Sequence, residues 1–243
     1  MRAPIDVEVR EDAVVVAFDR PEKHNALSAS MSRMLGEILT EYEGTPLPLV
    51  LTSANPGMFV AGTDLSDLRS RSFDESLARI NSRLFRRLED HPWPTIAVVD
   101  GPALGGGCEL ALSCDIRVGT PNAIWGLPGV RLGLVPSAGA LHRLPGLIGR
   151  SRAADLVLTG RRLGNDEAHR IGLVQRVAAA DDLTAVLDGL LSEFAACSPE
   201  AVRLAKEAMR VGSDPGRLVD ALAQAHLIDS EDTKRRLDRA LGN

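Results

Sequence analysis

Residues 100–126 constrain what this chain can fold into more than any other stretch. An apolar run at 95–99 is typical of a buried strand, and three consecutive glycines at 105–107 precede a short helical pattern that begins at Cys108. A strand that leads through a glycine loop into a helix directs free backbone N–H groups at whatever lies above the loop. Glu109 falls in the first turn of that helix. The stretch therefore predicts an oxyanion and a carboxylate held side by side.

Composition excludes several classes of function. The chain has 243 residues, a net charge of −5 and 3% aromatic residues, which argues against bulk binding to nucleic acid or to an anionic membrane. The N-terminus is charged, and no run of about 18 apolar residues occurs, so neither a signal peptide nor a membrane span is expected. Three sparse cysteines suit a reducing cytoplasm, and their spacing makes a zinc site improbable.

The order of apolar patterns predicts an α/β fold with parallel strands and crossover helices. Strands are expected at 7–9, 13–18, 48–53, 95–100 and 115–119, and helices at 31–42 and 74–88, with an irregular segment at 59–67. Residues 120–150 are rich in glycine and proline and are expected to wrap a pocket rather than cross a core. The rest predicts helices at 152–158, 166–171, 182–197, 198–211 and 216–228 and a short strand at 173–177.

Four segments resemble the crotonase family, the enoyl-CoA hydratase/isomerase superfamily. They are RPEKHNALS at 20–28, FVAGTDL at 59–65, PTIAVVDGPALGGGCELALSCDIRV at 94–118 and LTGRRLGNDEAHRIGLVQRV at 158–177. The resemblance implies a crotonase-like spiral of ββα turns carrying an acyl-CoA site in residues 1–180. It also implies a C-terminal helical trimerisation region in residues 181–243, and a homotrimer or homohexamer.

The resemblance also assigns roles to residues. It implies that the backbone N–H groups of Thr63 and Gly106 form an oxyanion hole for a thioester enolate, with Glu109 as the acid/base. Coenzyme A is then part of the substrate, and no metal or other cofactor is implied. The expected substrate-binding residues are Lys23, Ala26, Leu27, Ala61, Gly62, Asp64, Leu65, Gly105 and Gly129, and Arg20 is expected to add positive charge near the coenzyme.

Two departures from the family pattern leave the reaction open. Gly129 stands where hydratases carry a second glutamate, whose loss typically costs about 10²–10⁴ in general acid–base catalysis. Thr63 replaces a common alanine, which keeps the backbone donor and is expected to narrow the pocket. Hydration, double-bond isomerisation and decarboxylation all stay possible, as does an acyl-CoA-binding protein without turnover. A dinucleotide-binding oxidoreductase fails on spacing, because the glycines do not form GxGxxG after the first strand.

Overall fold

The strands form two sheets. In this computed structural model, which describes residues 3–70, 72, 74, 79–211, 231 and 235, a six-stranded sheet has the order β1-β2-β3-β4-β6-β9 and a three-stranded sheet the order β5-β7-β8. The strands are β1 (Ile5–Val9), β2 (Val14–Phe18), β3 (Leu49–Ser53), β4 (Thr95–Val99), β5 (Pro102–Leu104), β6 (Ile116–Gly119), β7 (Ile124–Gly126), β8 (Arg162–Gly164) and β9 (Arg176–Val177).

The pairing confirms the predicted topology. Strands β1 and β2 form an antiparallel hairpin, whereas β2, β3, β4, β6 and β9 run parallel to one another. Parallel neighbours require crossover connections, which the helices between them supply.

Helices and short 3-10 turns connect the strands. The helices are α1 (Ala29–Glu41), α2 (Leu65–Ser70), α3 (Ile80–Glu89), α4 (Gly106–Leu112), α5 (Ala140–Ile148), α6 (Arg150–Thr159), α7 (Asn165–Arg170), α8 (Leu183–Ala195) and α9 (Pro199–Val211), with 3-10 turns at Pro21–Lys23, Pro128–Leu132 and Ala180–Asp182. The Ser28 hydroxyl caps α1 by accepting a 3.2 Å bond from Met31 N. A side-chain acceptor at this position satisfies one of the free donors of a helix start. No helix among the described residues is long and apolar enough to cross a membrane.

Both faces of the larger sheet are covered, which explains its nearly continuous apolar strands. Alternate residues such as Val16 and Leu51 face a core shared with α1, α3 and α4. The residues between them, including Val15 and Val50, pack on the other face against Leu187, Leu190 and Leu191 of α8.

Three predictions about local structure differ from what is observed. Residues 120–150 contain β7 and α5 as well as loops, and α5 buries Ala140, Leu144 and Ile148. The short strand β5 lies between β4 and the glycines, so the glycine loop follows β5, and α4 begins at Gly106 rather than Cys108. The segment expected to be irregular at 59–67 includes the start of α2.

Some predictions concern residues outside the described part of the chain. These are the helix at 216–228 and residues 75–78 of the helix at 74–88, whose described portion is α3. The division at residues 180 and 181 into a spiral core and an oligomerisation region stays a prediction.

The parallel strands direct their connections to one edge of the sheet. Loops that follow the carboxyl ends of β2, β3 and β4 contain residues 19–28, 54–64 and 100–101, and the third leads through β5 to the glycines. Ligand sites of open α/β sheets lie outside the carboxyl ends of the strands. The fold therefore brings parts of three of the four segments that carry the resemblance, at 20–28, 59–65 and 94–118, to the same end of the molecule.

Candidate active site

Backbone hydrogen bonds join the two segments expected to hold coenzyme A. Leu27 N donates to Gly62 O at 2.8 Å, and Asp64 N donates to Leu27 O at 2.9 Å. Ala61 N donates to His24 O at 3.1 Å. These bonds form a parallel bridge between Leu27 and Thr63. In such a bridge the N–H of Thr63 points away from Leu27, because only its neighbours bond to that residue.

The glycine loop closes against the same segment. Gly105 has φ of +50°, a conformation that favours glycine, and its N–H donates to Gly126 O at 2.9 Å. A Cβ added at Gly107 would lie 1.7 Å from Val60 O, so this position admits no side chain. A Cβ added at Gly106 would lie 2.5 Å from the Thr63 hydroxyl oxygen and 3.3 Å from Thr63 N. The two predicted oxyanion donors are thus on adjoining turns.

Neither amide is used by the scaffold. Among the described residues, neither Thr63 N nor Gly106 N donates a hydrogen bond. Gly106 is the first residue of α4, where a backbone N–H has no partner within the helix. Two free N–H groups on adjoining turns can both donate to one oxygen atom of a ligand.

Glu109 lies on the same helix, one turn beyond Gly106. Its carboxylate is 4% exposed, and Oε1 accepts bonds from Ala138 N at 2.7 Å and Ala140 N at 3.2 Å. Burial raises the pKa of Glu109, while these two amides and the charge of Arg143 offset part of that effect. Residues three apart on a helix are neighbours on one face, at about 5–6 Å between Cβ atoms. The carboxylate is therefore oriented beside Gly106 and favours proton uptake.

The loop that orients Glu109 lies within residues 120–150, the stretch expected to wrap a pocket, but its bonds to Glu109 were not predicted from sequence. Arg143 of α5 donates to both carboxylate oxygens of Glu89, at 3.1 and 2.8 Å, and to Ala138 O at 3.0 Å. Gly139 has φ of +118°, which lets the loop turn into α5. The apolar spacing of residues 140, 144 and 148 after that glycine is the signal that could have revealed α5.

Gly129 lies in the 3-10 turn that follows β7. A Cβ at this position would meet Leu134 O at 3.3 Å, and its φ is outside the left-handed region. A side chain there requires only a small adjustment of the 132–134 segment. The backbone at Gly129 is thus compatible with a side chain, at the position where the family pattern has a second glutamate.

The residues expected to contact coenzyme A differ in exposure. Lys23 is exposed, and the Leu65 side chain is 64% exposed at the start of α2. Ala26 and Ala61 are half-buried, whereas Leu27 is buried beneath them. The segment therefore presents an accessible surface supported by an apolar residue.

Arg20 has a scaffold role instead of adding free positive charge. Its guanidinium donates to Asp64 Oδ2 at 2.9 Å and to Ala26 O at 3.1 Å. The Ser66 amide and this guanidinium lower the pKa of Asp64. Because the charge of Arg20 is paired, Lys23 remains the expected source of a phosphate contact. Within the described ranges, no group of three or more His, Cys, Asp or Glu side chains is placed to hold a metal ion.

Comparison with known proteins gives a consistent result. A profile of the family described as enoyl-CoA hydratase/isomerase matches residues 8–236. The chain is 36% identical to the short-chain-enoyl-CoA hydratase of Clostridium acetobutylicum, over 94% of this chain and 90% of that protein. It is 35% identical to the enoyl-CoA isomerase/hydratase fer4 of Mycosarcoma maydis, over 92% and 87%.

Solved structures agree. The fold superposes on the crystal structure of an enoyl-CoA hydratase from Bacillus anthracis with a TM-score of 0.92 and 32% identity, over 97% of this chain and 95% of that one. The sequence match along nearly the whole chain and the shared architecture lead to one conclusion: the chain belongs to the enoyl-CoA hydratase/isomerase, or crotonase, family.

Proposed function

We propose that this protein acts on an acyl-CoA thioester by forming its enolate. The thioester oxygen accepts hydrogen bonds from Thr63 N and Gly106 N, and Glu109 transfers the proton at Cα. One observation carries the proposal: two N–H groups from separate segments adjoin each other without acceptors among the described residues, one helical turn from a buried carboxylate.

The chemistry requires both parts of this arrangement. A proton leaves Cα of a thioester only when the negative charge that develops on the carbonyl oxygen is stabilised. Each oriented donor contributes about 10²–10³ in rate. The raised pKa of Glu109 makes its carboxylate a stronger base than an exposed glutamate, which favours proton abstraction near neutral pH.

The rest of the substrate is proposed to extend over the joined segments. Coenzyme A is part of the substrate, and no separate cofactor takes part. The contacts are assigned to Lys23, Ala26, Leu27, Ala61, Gly62, Asp64, Leu65, Gly105 and Gly129. A cytoplasmic location and a homotrimer or homohexamer remain proposals on the sequence grounds given above.

Hydration and isomerisation share the same enolate. The two relatives described above are named as a hydratase and as an isomerase/hydratase. Gly129 provides no second carboxylate to orient a water molecule, whereas moving a proton between two carbons needs only Glu109. Isomerisation is therefore the second candidate beside hydration. A decarboxylase needs the oxyanion donors and little base, and a binding protein needs neither proton transfer nor turnover.

Deuterium exchange at Cα of butyryl-CoA tests the enolate directly. Glu109 removes the Cα proton, the electron pair moves to the thioester oxygen, and a deuteron from D₂O returns to Cα. We expect exchange with the wild-type protein and a loss of about 10²-fold or more in Glu109→Gln. Glu37→Gln is the matched control, since Glu37 is an exposed carboxylate on the outer side of α1.

The outcomes separate the candidates. Exchange together with decay of the conjugated absorbance of crotonyl-CoA supports hydration. Exchange without that decay, together with conversion of 3-butenoyl-CoA to crotonyl-CoA, supports isomerisation. Tight binding of butyryl-CoA without exchange would contradict the proposed role of Glu109 and favour a decarboxylase or a binding protein.

A further inference from the structure

The hydroxyl group of Thr63 occupies a position that the proposed reaction does not yet use. A Cβ built on Gly106 would lie 2.5 Å from this hydroxyl oxygen and 3.3 Å from Thr63 N, so the hydroxyl is the nearer of the two groups. Helical Cα–Cβ bonds tilt towards the N-terminus of the helix, the direction in which the first N–H groups also point. The hydroxyl therefore lies on the same side of Gly106 as its free N–H.

The hydroxyl is available to a ligand. Among the described residues the Thr63 hydroxyl makes no hydrogen bond, and the residue is half-buried. The side chain is also restricted, because a β-branched residue has few χ1 rotamers. The backbone bridge to Leu27 fixes the main chain of Thr63 at the same time. The hydroxyl is thus both free and oriented, which are the properties of a useful donor in a reaction site.

Glu109 lies on the same face of α4 as Gly106, the residue against which the Thr63 hydroxyl packs. It follows Gly106 by three residues, so the side chains at these positions share one face of α4. A Cβ at Gly106 would lie only 2.5 Å from the Thr63 hydroxyl oxygen, so the hydroxyl packs directly against this glycine. Thr63 and Gly106 accordingly place two amides and a hydroxyl together, and Glu109 follows one helical turn later on α4.

We propose that the Thr63 hydroxyl is a third hydrogen-bond donor to the thioester oxygen, joining Thr63 N and Gly106 N as the charge on that oxygen develops. This inference rests on the proposed function and deepens it. A hydroxyl donor to an oxyanion makes a short bond of about 2.5–2.7 Å, roughly twice as strong as a neutral pair. The third donor offsets part of the disadvantage of having a single carboxylate.

Three substitutions at one position separate donation from shape. Thr63→Val keeps the volume and the backbone N–H but removes the donor, Thr63→Ser keeps the donor, and Thr63→Ala removes the donor without adding bulk. We expect Thr63→Val and Thr63→Ala to lower the rate constant for Cα exchange in butyryl-CoA by about 10- to 100-fold. KM should change by less than about threefold, because the interaction strengthens with the developing charge. Thr63→Ser should stay within about threefold of the wild type.

A readout independent of turnover distinguishes the proposed role of the Thr63 hydroxyl from the proposed oxyanion site formed by the two amides. The carbonyl stretch of [1-¹³C]butyryl-CoA, followed by difference infrared spectroscopy, shifts to lower wavenumber when donors polarise the thioester. We expect the bound wild-type and Thr63→Ser complexes to share a large shift and Thr63→Val and Thr63→Ala to lose part of it. Circular dichroism and thermal unfolding verify that each variant is folded, and Thr63→Ala serves if Thr63→Val is not.

Each result decides between the alternatives. A full shift and unchanged exchange in both Thr63→Val and Thr63→Ala would overturn the role of the hydroxyl and leave the two amides in place. An absence of any shift on binding to the wild type, or an absence of binding, would overturn the proposed oxyanion site itself, and the hydroxyl with it.

Discussion

Replacing Gly106 by alanine tests the proposed site with a single methyl group. The added Cβ would lie 2.5 Å from the Thr63 hydroxyl oxygen, about 0.9 Å short of the 3.4 Å at which ordinary contact begins. Its other near contacts are Thr63 N at 3.3 Å and Gly62 C at 3.7 Å. The strain therefore falls on the Thr63 side chain, and the methyl group crowds the hydroxyl and the N–H of Thr63, two of the proposed donors to the thioester oxygen.

The expected effect on activity is much larger than the effect on stability. Misplacement of reacting groups by about 1 Å costs about 10²-fold, and loss of one oxyanion donor costs about 10²–10³-fold. Moving the Thr63 side chain off its rotamer costs of order 0.5–1.5 kcal/mol, and alanine returns a fraction of a kcal/mol in helix propensity. We therefore expect a 10²–10³-fold slower exchange at Cα of butyryl-CoA and a loss of free energy of unfolding below about 2 kcal/mol.

The neighbouring glycines are the controls. A Cβ at Gly105 meets nothing within 4 Å, but its φ of +50° makes alanine strained by about 1–3 kcal/mol. A Cβ at Gly107 would lie 1.7 Å from Val60 O, so Gly107→Ala should lose more than about 3 kcal/mol and fail to accumulate in folded form. Gly107→Ala should thus lose the most stability, whereas Gly106→Ala should lose activity out of proportion to its small loss of stability.

The assay is Cα exchange in D₂O, with chemical denaturation measured on the same samples. Thr63→Ala removes the hydroxyl and leaves the 3.3 Å distance to Thr63 N as the shortest one, so Gly106→Ala should cost less activity in that background than alone. A folded Gly106→Ala variant with wild-type exchange would refute the reasoning, because a methyl group would then crowd both proposed donors of Thr63 without effect.

Four further predictions follow from other parts of the structure. Gly129→Glu should raise the hydration rate of crotonyl-CoA by 10-fold or more, of order the contribution of a second acid–base group, and a flat rate with intact binding would contradict the assignment of that position. Burial raises the pKa of Glu109 from its ordinary 4.5, so the acid limb of the exchange rate should lie above pH 4.5. A raised carboxyl pKa contributes stability below pH 4.5, and this contribution is lost as pH rises through the folded-state pKa. The stability of Glu109→Gln relative to wild type, measured by urea titration, should therefore increase from acid to neutral pH. Burial and the charge of Lys206 lower the pKa of His91 from 6.5 to about 4, so stability should fall as pH drops through that interval, and His91→Phe should flatten the slope measured by denaturation. Leu141 and Leu158, which are 44% and 75% exposed, line one apolar cleft, as expected of a surface covered by another subunit. Light scattering should give the mass of a trimer or hexamer, and Leu158→Glu should lower that mass. A monomeric wild type would contradict the predicted assembly.

Local patterns were sufficient for the order of elements. Apolar runs at 48–53 and 95–100 predicted neighbouring parallel strands, because strands buried on both faces need side chains that are apolar throughout. The turn residues Glu11 and Asp12, between two short strand patterns, predicted the β1–β2 hairpin. These features depend on residues a few positions apart.

The glycine run indicated a loop that presents backbone N–H groups, and the structure shows in addition which segment packs against that loop. Val60 O excludes a side chain at Gly107, and the Thr63 side chain crowds one at Gly106. The sequence alone contains the requirement for glycine but not the identity of the neighbour, because segments 40 or so residues apart meet only when the sheet has formed.

The helix α5 was missed for a related reason. Pro145 and the glycines around it suggest a loop, and the burial of Ala140, Leu144 and Ile148 against the core overrides that local preference.

What the sequence by itself determined was the family, the α/β order of elements and the residue types with chemical potential, Glu109 among them. Only the tertiary structure decided how those residues are used. The amides of Ala138 and Ala140 orient Glu109 across 29 and 31 positions, and Arg20 pairs with Asp64 across 44. Hydrogen-bond partners and burial depend on contacts between distant segments, and these set the pKa and the direction of every group in the site.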